Sequence, residues 1–201
     1  MAYSEFSLVS VEKSFDLTIS DRINLFSDTP ELESSLWLKE TLDYNVPIAL
    51  GSNTEKARSE LIITPTLVEL RKQLNSQIGL FSGIDFTVDV NRGLNGSCDF
   101  IISQSPQLLI LRSPVIMLVE AKKENINAGL GQCIAEMLAA QIYNQREGQE
   151  VKNIYGVVTT GEIWKFIKLT GQLVEIDLAE YFLNNINKIL GILASAVRQR
   201  T

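Results

Sequence analysis

The chain has 201 residues, 45% hydrophobic and 21% charged, a composition that builds one packed domain without a disulfide or metal staple and excludes a disordered chain. It contains no histidine, so Ser-His-Asp triads, Cys-His nucleophiles and His-ligated zinc are excluded. With 18 Lys and Arg against 24 Asp and Glu, the net charge is −6; a protein that coats nucleic acid through a global basic excess is excluded, and any such contact must use a local patch.

In chain order, residues 1–53 read as an N-terminal extension. Alternation in EFSLVSVEKSFDLTIS predicts short strands or extended chain. Ser27 or Asp28, with Pro30 behind it, starts a helix through SSLWLKETLDY. Gly51-Ser52-Asn53 ends it and caps a second helix, TEKARSELIITPTLVELRKQL. Pro65 predicts a kink or short interruption there, because proline brings no N–H to the helix ladder. The texture changes at Gly79: GIDFTVDV alternates as a strand, NRGLNGS is a turn and CDFIIS a second strand. Pro106 and Pro114 bracket LLILR, and VIMLVEAK is a strongly apolar third or fourth strand. Asn125 or Asn127 caps the helix AGLGQCIAEMLAAQIYNQR, with Leu130, Cys133, Ile134, Met137, Leu138 and Ile142 on one apolar face. NIYGVVTT and EIWKFIKLT form a hairpin. Residues 171–201, helical from Ile176 onward, read as a C-terminal amphipathic helix suited to dimerisation. This order predicts a single α/β domain with a mixed central β-sheet flanked by α-helices.

Cys98 and Cys133, in apolar surroundings, read as buried free thiols of a reducing compartment. The start of the chain lacks the basic and apolar regions of a signal peptide, and the most apolar run, LLILRSPVIMLV, is broken by Arg112 and Pro114 and is shorter than the roughly 20 residues of a bilayer span. The expectation is a soluble cytoplasmic protein with no membrane partner. Trp37, Trp164 and Phe166 read as packed aromatics, with base stacking as the alternative. Arg92, Lys123, Lys152, Lys165 and Lys168 read as scattered surface charges that could also line a basic rim.

The informative constellation is Asp99 with Glu120-Ala121-Lys122. On an extended strand, Glu120 and Lys122 share a face while Val119 and Ala121 face away. Asp99 begins another apolar strand. Were the two strands neighbours, two carboxylates would converge beside an ammonium, and their repulsion and burial would be costly. A divalent cation relieves both. Carboxylate oxygens, a backbone carbonyl and waters make the octahedral shell that Mg²⁺ takes. Such an ion polarises a phosphodiester, and a lysine beside it orients water and faces the developing negative charge, which is hydrolysis without histidine. E-x-K at a strand end also occurs as two solvated side chains.

With these residues, the sequence over about 54–170 resembles the PD-(D/E)XK nuclease superfamily, the restriction-endonuclease-like fold. The family core runs helix, three-stranded meander, helix, strand, with an Asp on the second core strand and E-x-K on the third. Asp99 matches that Asp, and Glu120 and Lys122 match E-x-K. Glu60 matches a glutamate of the first helix, and Gln132 a glutamine of the second. The resemblance implies a Mg²⁺- or Mn²⁺-dependent hydrolase of DNA in which Asp99, Glu120 and the Ala121 carbonyl hold the metal. Lys122 then positions water, and Glu60 and Gln132 support the site. Cys98 stands where the motif has proline, and no recognition region accompanies the core. Residue by residue, plainer readings stand alongside. Glu60 can pair with Lys56 one turn earlier, and Gln132 can be a surface amide. Glu136, one turn beyond Gln132, reads as solvated, with a supporting role as its alternative. The alternative for the whole chain is a catalytically silent interaction protein on the same fold.

Overall fold

The structure, a computed structural model, describes residues 2–198. One eight-stranded sheet organises the chain, with β1 (Thr18–Ser20), β2 (Gly79–Asp85), β3 (Ser97–Ser103), β4 (Val115–Ala121), β5 (Ile154–Thr159), β6 (Ile163–Thr170), β7 (Leu173–Ile176) and β8 (Tyr181–Phe182). Its order is β1-β7-β6-β5-β4-β3-β2, with β8 beside β6. β2, β3 and β4 form an antiparallel meander, β5 runs parallel to β4 after a helical crossover, and β6 returns antiparallel to β5. The α/β class with a mixed sheet flanked by helices is therefore as expected.

Alternation on the strands feeds two cores. Phe100, Ile102, Val119, Trp164 and Phe166 pack with helices α2 (Leu36–Ser52), α4 (Thr64–Gln73) and α6 (Ile186–Arg198). Ile101, Leu118 and Val158 face the other way, onto α5 (Ile126–Arg146) and α1 (Leu8–Phe15). Cys98 and Cys133 are buried and unbonded to each other. Trp164 and Phe166 are core residues as expected, whereas Trp37 is not packed in the core but 42% exposed, with the Lys72 ammonium over its ring.

Several boundaries differ from the sequence expectation. The N-terminal alternation hides a helix: Ser7 and Ser10 cap α1 reciprocally, and Val11 and Phe15, one turn apart, are its buried residues. Only Thr18–Ser20 of that stretch is a strand. Helix α2 begins at Ser35, not at Ser27 or Asp28, because Ser35 caps Leu38 and is itself held by the buried Glu69 through its N–H and hydroxyl, both at 2.9 Å. It runs past Pro47 to Asn53, whose left-handed backbone ends it. The alternating strand begins earlier, at Gly79, and stops at Asp85. The expected C-terminal helix is two short strands, β7 and β8, followed by α6; residues 199–201 lie outside the described residues. Ile189, Leu190, Ile192, Leu193 and Val197 of α6 are buried in the chain's own core, so the apolar face expected to form a dimer is already covered.

Pro65 interrupts its helix as expected. Between α3 (Glu55–Arg58) and α4, residues Ser59–Ile63 make a π-turn, and the Thr64 N–H reaches back to the Ser59 carbonyl. Pro65 leaves the Leu61 carbonyl without its helical donor, and Asn45 of α2 supplies one from Nδ2 at 3.0 Å.

Gly131 lets the N-terminal segment sit directly on α5. A Cβ at this position would overlap the backbone of Phe6 and Ser7, which has no flexible side-chain end to yield. Gly131→Ala is expected to lower folding stability by about 1–3 kcal/mol through overpacking, read as a lower denaturation midpoint in urea. An unchanged midpoint would mean that α1 is free to lift from the helix.

Candidate metal and phosphodiester site

The site lies where the β3–β4 ladder ends. The register that pairs Phe100 with Val119 puts Asp99 opposite Glu120, so the two carboxylates share one face of the sheet. Asp99 takes over from the ladder: its Oδ2 accepts the Ala121 N–H at 2.8 Å. The Lys122 N–H donates to the Thr159 carbonyl at 2.8 Å, which ties the strand end to β5. Strand alternation then returns the Lys122 side chain to the face of Glu120, and the two form an ion pair with Nζ–Oε1 2.5 Å.

Helix α5 completes the arrangement. Asn125 caps it, with Oδ1 3.4 Å from the Ala128 N–H, and this sets the phase that turns Gln132 toward the strand end. Lys122 Nζ donates to Gln132 Oε1 at 3.3 Å, and Gln132 Nε2 donates to Glu136 Oε1 at 3.1 Å. A continuous chain of polar contacts thus runs from Glu120 through Lys122 and Gln132 to Glu136.

The electrostatics follow from burial. Glu120 is only 2% exposed. Burial, then the neighbouring charge of Asp99, push its pKa up to about 7 against the opposing pull of Lys122. Burial pulls the Lys122 pKa down, but the charge and hydrogen bond of Glu120, joined by Glu55 and Asp99, outweigh it and hold the ammonium above its ordinary range. Glu136 is fully enclosed; burial and then Glu120 raise its carboxyl well above the usual range, although Gln132 donates to it. The Oε2 atoms of both Glu120 and Glu136 are buried without a hydrogen-bond partner. Burial raises both thiols, Cys98 and Cys133, as expected of inert core cysteines.

Of the residues singled out from sequence, Asp99, Glu120, Lys122 and Gln132 come together, with Ala121 between the strands as the donor to Asp99. Glu60 does not join them. Its side chain is 62% exposed and pairs with Lys56 at 3.5 Å, the plainer of its two readings. The helix contributes Glu55 instead: its Oε2 accepts the Lys123 N–H at 3.1 Å, and its charge acts on Glu120 and Lys122. Glu136 is likewise not solvated but buried. The signal for Glu55 is its place directly after the Thr54 cap; for Glu136 it is the apolar CIAEMLAA context on every side. The candidate basic rim is largely occupied by local contacts: Lys123 with Glu124, Lys168 with Glu175, Lys165 with the Leu178 carbonyl, and Arg92 over the Phe15 ring.

Among the described residues no three His, Cys, Asp or Glu side chains are gathered to hold a metal. The oxygens on offer are those of Asp99 and Glu120 and the Ala121 carbonyl, with Glu120 Oε2 unsatisfied. An all-oxygen set with few carboxylates suits Mg²⁺ or Mn²⁺, which keep several of their waters. Among the described residues no helix is long and apolar enough to cross a membrane. Comparison with protein-family models, with curated proteins and with solved structures finds no match to this chain.

Proposed function

We propose that the protein is a metal-dependent nuclease of the PD-(D/E)XK type, with a restriction-endonuclease-like core, that hydrolyses phosphodiester bonds of DNA in the cytoplasm. The observation that carries this reading is the convergence of Asp99, Glu120 and Lys122 at one end of β3 and β4. The order of helix, three-stranded meander, helix and parallel strand supports it. In this reading Asp99, Glu120 and the Ala121 carbonyl hold Mg²⁺ or Mn²⁺. The chemistry such an ion supplies when bound is polarisation of the phosphodiester and a more acidic water. Lys122, kept protonated by its acidic surroundings, directs an N–H at the attacking water or at the phosphoryl oxygens as they gain charge. Gln132 fixes Lys122. Water adds to phosphorus and gives up a proton to solvent, the bond to the leaving deoxyribose oxygen breaks, and that oxygen takes a proton from solvent. Glu55 takes the supporting place expected of Glu60.

A second reading, a silent interaction protein on the same fold, draws on three observations. Lys122 occupies Glu120 Oε1, the Ala121 N–H occupies Asp99 Oδ2, and the net charge of −6 repels nucleic acid. Calorimetric titration with Mn²⁺ beside a plasmid-nicking assay separates the two. The nuclease reading expects Mn²⁺ binding and Mn²⁺-dependent nicking. Neither binding nor nicking in the wild type would leave the silent protein.

A further inference from the structure

We propose that Glu136 is a positioning residue: from the buried middle of α5 it fixes which way the Gln132 carboxamide faces, and through it where the Lys122 ammonium is held. A carboxamide has two unlike ends. Lys122 has only donors, so Gln132 must turn its oxygen to Nζ, as the 3.3 Å contact has it. The Gln132 NH₂ then points one turn along the helix, into protein, where it needs an acceptor. Glu136 Oε1 is that acceptor, at 3.1 Å. A carboxyl keeps an acceptor oxygen there whether ionised or protonated. A glutamine at 136 could donate as well as accept, so it would admit the flipped carboxamide that turns NH₂ toward the ammonium; an apolar side chain would leave the amide uncommitted.

Stability gives no reason for a carboxyl at this position. Its neighbours Ala135, Met137, Leu138, Ala139 and Ala140 are all buried. No ion pair reaches Glu136 among the described contacts, and its Oε2 has no hydrogen-bond partner. An apolar residue of similar volume satisfies such a site at least as well. What the carboxyl adds is direction.

The orientation claim stands on these contacts alone, and its catalytic consequence rests on the nuclease reading. The test uses the full-length chain carrying Glu136→Leu or Glu136→Gln. The first readout is the side-chain NH₂ signal of Gln132 in ¹H–¹⁵N spectra without metal. In the wild type it is expected as one set of exchange-protected lines. Protection should fall about tenfold or more in the leucine variant and to an intermediate degree in the glutamine variant, since exchange follows opening of the hydrogen bond. The second readout is Mn²⁺-dependent cleavage. Here kcat should fall about 10- to 100-fold in Glu136→Leu and less in Glu136→Gln, with KM and Mn²⁺ affinity held. A Gln132 signal that stays protected in both variants would overturn the proposal, as would a kcat that stays at the wild-type value while the wild type cleaves. Should Glu136→Leu not fold, Glu136→Gln, close to it in shape, decides by the same readouts. If the wild type does not cleave, the nuclease reading falls, and the Gln132 signal alone decides the role of Glu136.

Discussion

Glu120→Gln is expected to abolish metal-dependent cleavage of DNA, and Lys122→Ala to lower cleavage sharply while Mn²⁺ still binds. The two residues sit 2.5 Å apart yet do different things. Glutamine at 120 keeps the shape and an acceptor for Lys122 but removes the charge that would hold a cation, so metal affinity and rate are lost together. Lysine brings donors and no lone pair to a metal, and losing such a preorganised donor costs about 10²- to 10³-fold in kcat. The melting behaviour should separate them further. Without metal, Lys122→Ala leaves a buried carboxylate without its cation and is expected to lower stability by about 1–3 kcal/mol. Glu120→Gln removes the repulsion with Asp99 and is expected to be neutral or stabilising. Adding Mn²⁺ at one concentration, about 100 times the wild-type Kd, should then raise the stability of the wild type by about 3 kcal/mol. That gain should be larger in Lys122→Ala than in the wild type, because Lys122 no longer competes for Glu120 Oε1, and absent in Glu120→Gln. A gain of equal size in Glu120→Gln would place the metal elsewhere.

The heart of this site was legible because it lies on strands. Alternation has a period of two that leaves little latitude, so Glu120 and Lys122 had to share a face, and an apolar strand beginning at Asp99 had to pair nearby. The helix residues were harder for definite reasons. Glu60 lies inside the π-turn of Ser59–Ile63, where an extra residue per turn breaks the 3.6-residue phase on which its placement depended. Glu55, ahead of that turn, keeps its position at the helix start. The solvated reading of Glu136 rests on α5 having one apolar face. The helix is in fact enclosed by the sheet on one side and by the N-terminal segment on the other, and Gly131, which permits that second contact, carries no hydrophobic signal of its own. The same applies to α1: the alternation of its apolar residues fits a strand as well as a helix, and the deciding signal is the Ser7–Ser10 cap. At the C-terminus the Leu173–Ile176 strand is too short to interrupt a helical pattern, and its identity comes from pairing with β6 and β1.

Without metal, the folded protein is expected to lose stability as pH rises from about 5 to 7, and Glu120→Gln to flatten that decline. The sign follows from the raised pKa. The folded state holds the Glu120 proton up to about 7, whereas an unfolded glutamate releases it near about 4.3. Between those values the native state binds more protons than the unfolded chain, so each step up in pH favours unfolding. The contribution is fully present below the unfolded pKa and lost by the time pH has passed the folded one. At about 1.4 kcal/mol for each pH unit that separates the two values, its size is on the order of 3 kcal/mol. Glu136, raised in the same direction by burial, adds to the slope and remains in Glu120→Gln, so the variant should be flatter without being flat. Glu69 acts the other way. Burial raises its pKa, but the hydrogen bonds from Gln73 and Ser35 outweigh this and lower it, so its stabilisation is lost as pH falls below the ordinary carboxylate range, outside this window. Saturating Mn²⁺ should reverse the slope, because a cation that binds the ionised carboxylates competes with their protons and binds more tightly as pH rises. Urea melts at several pH values, with and without Mn²⁺, measure both slopes. Equal slopes for wild type and Glu120→Gln in the metal-free protein would mean that Glu120 does not titrate in this range and that its Lys122 partner, not burial, governs its charge.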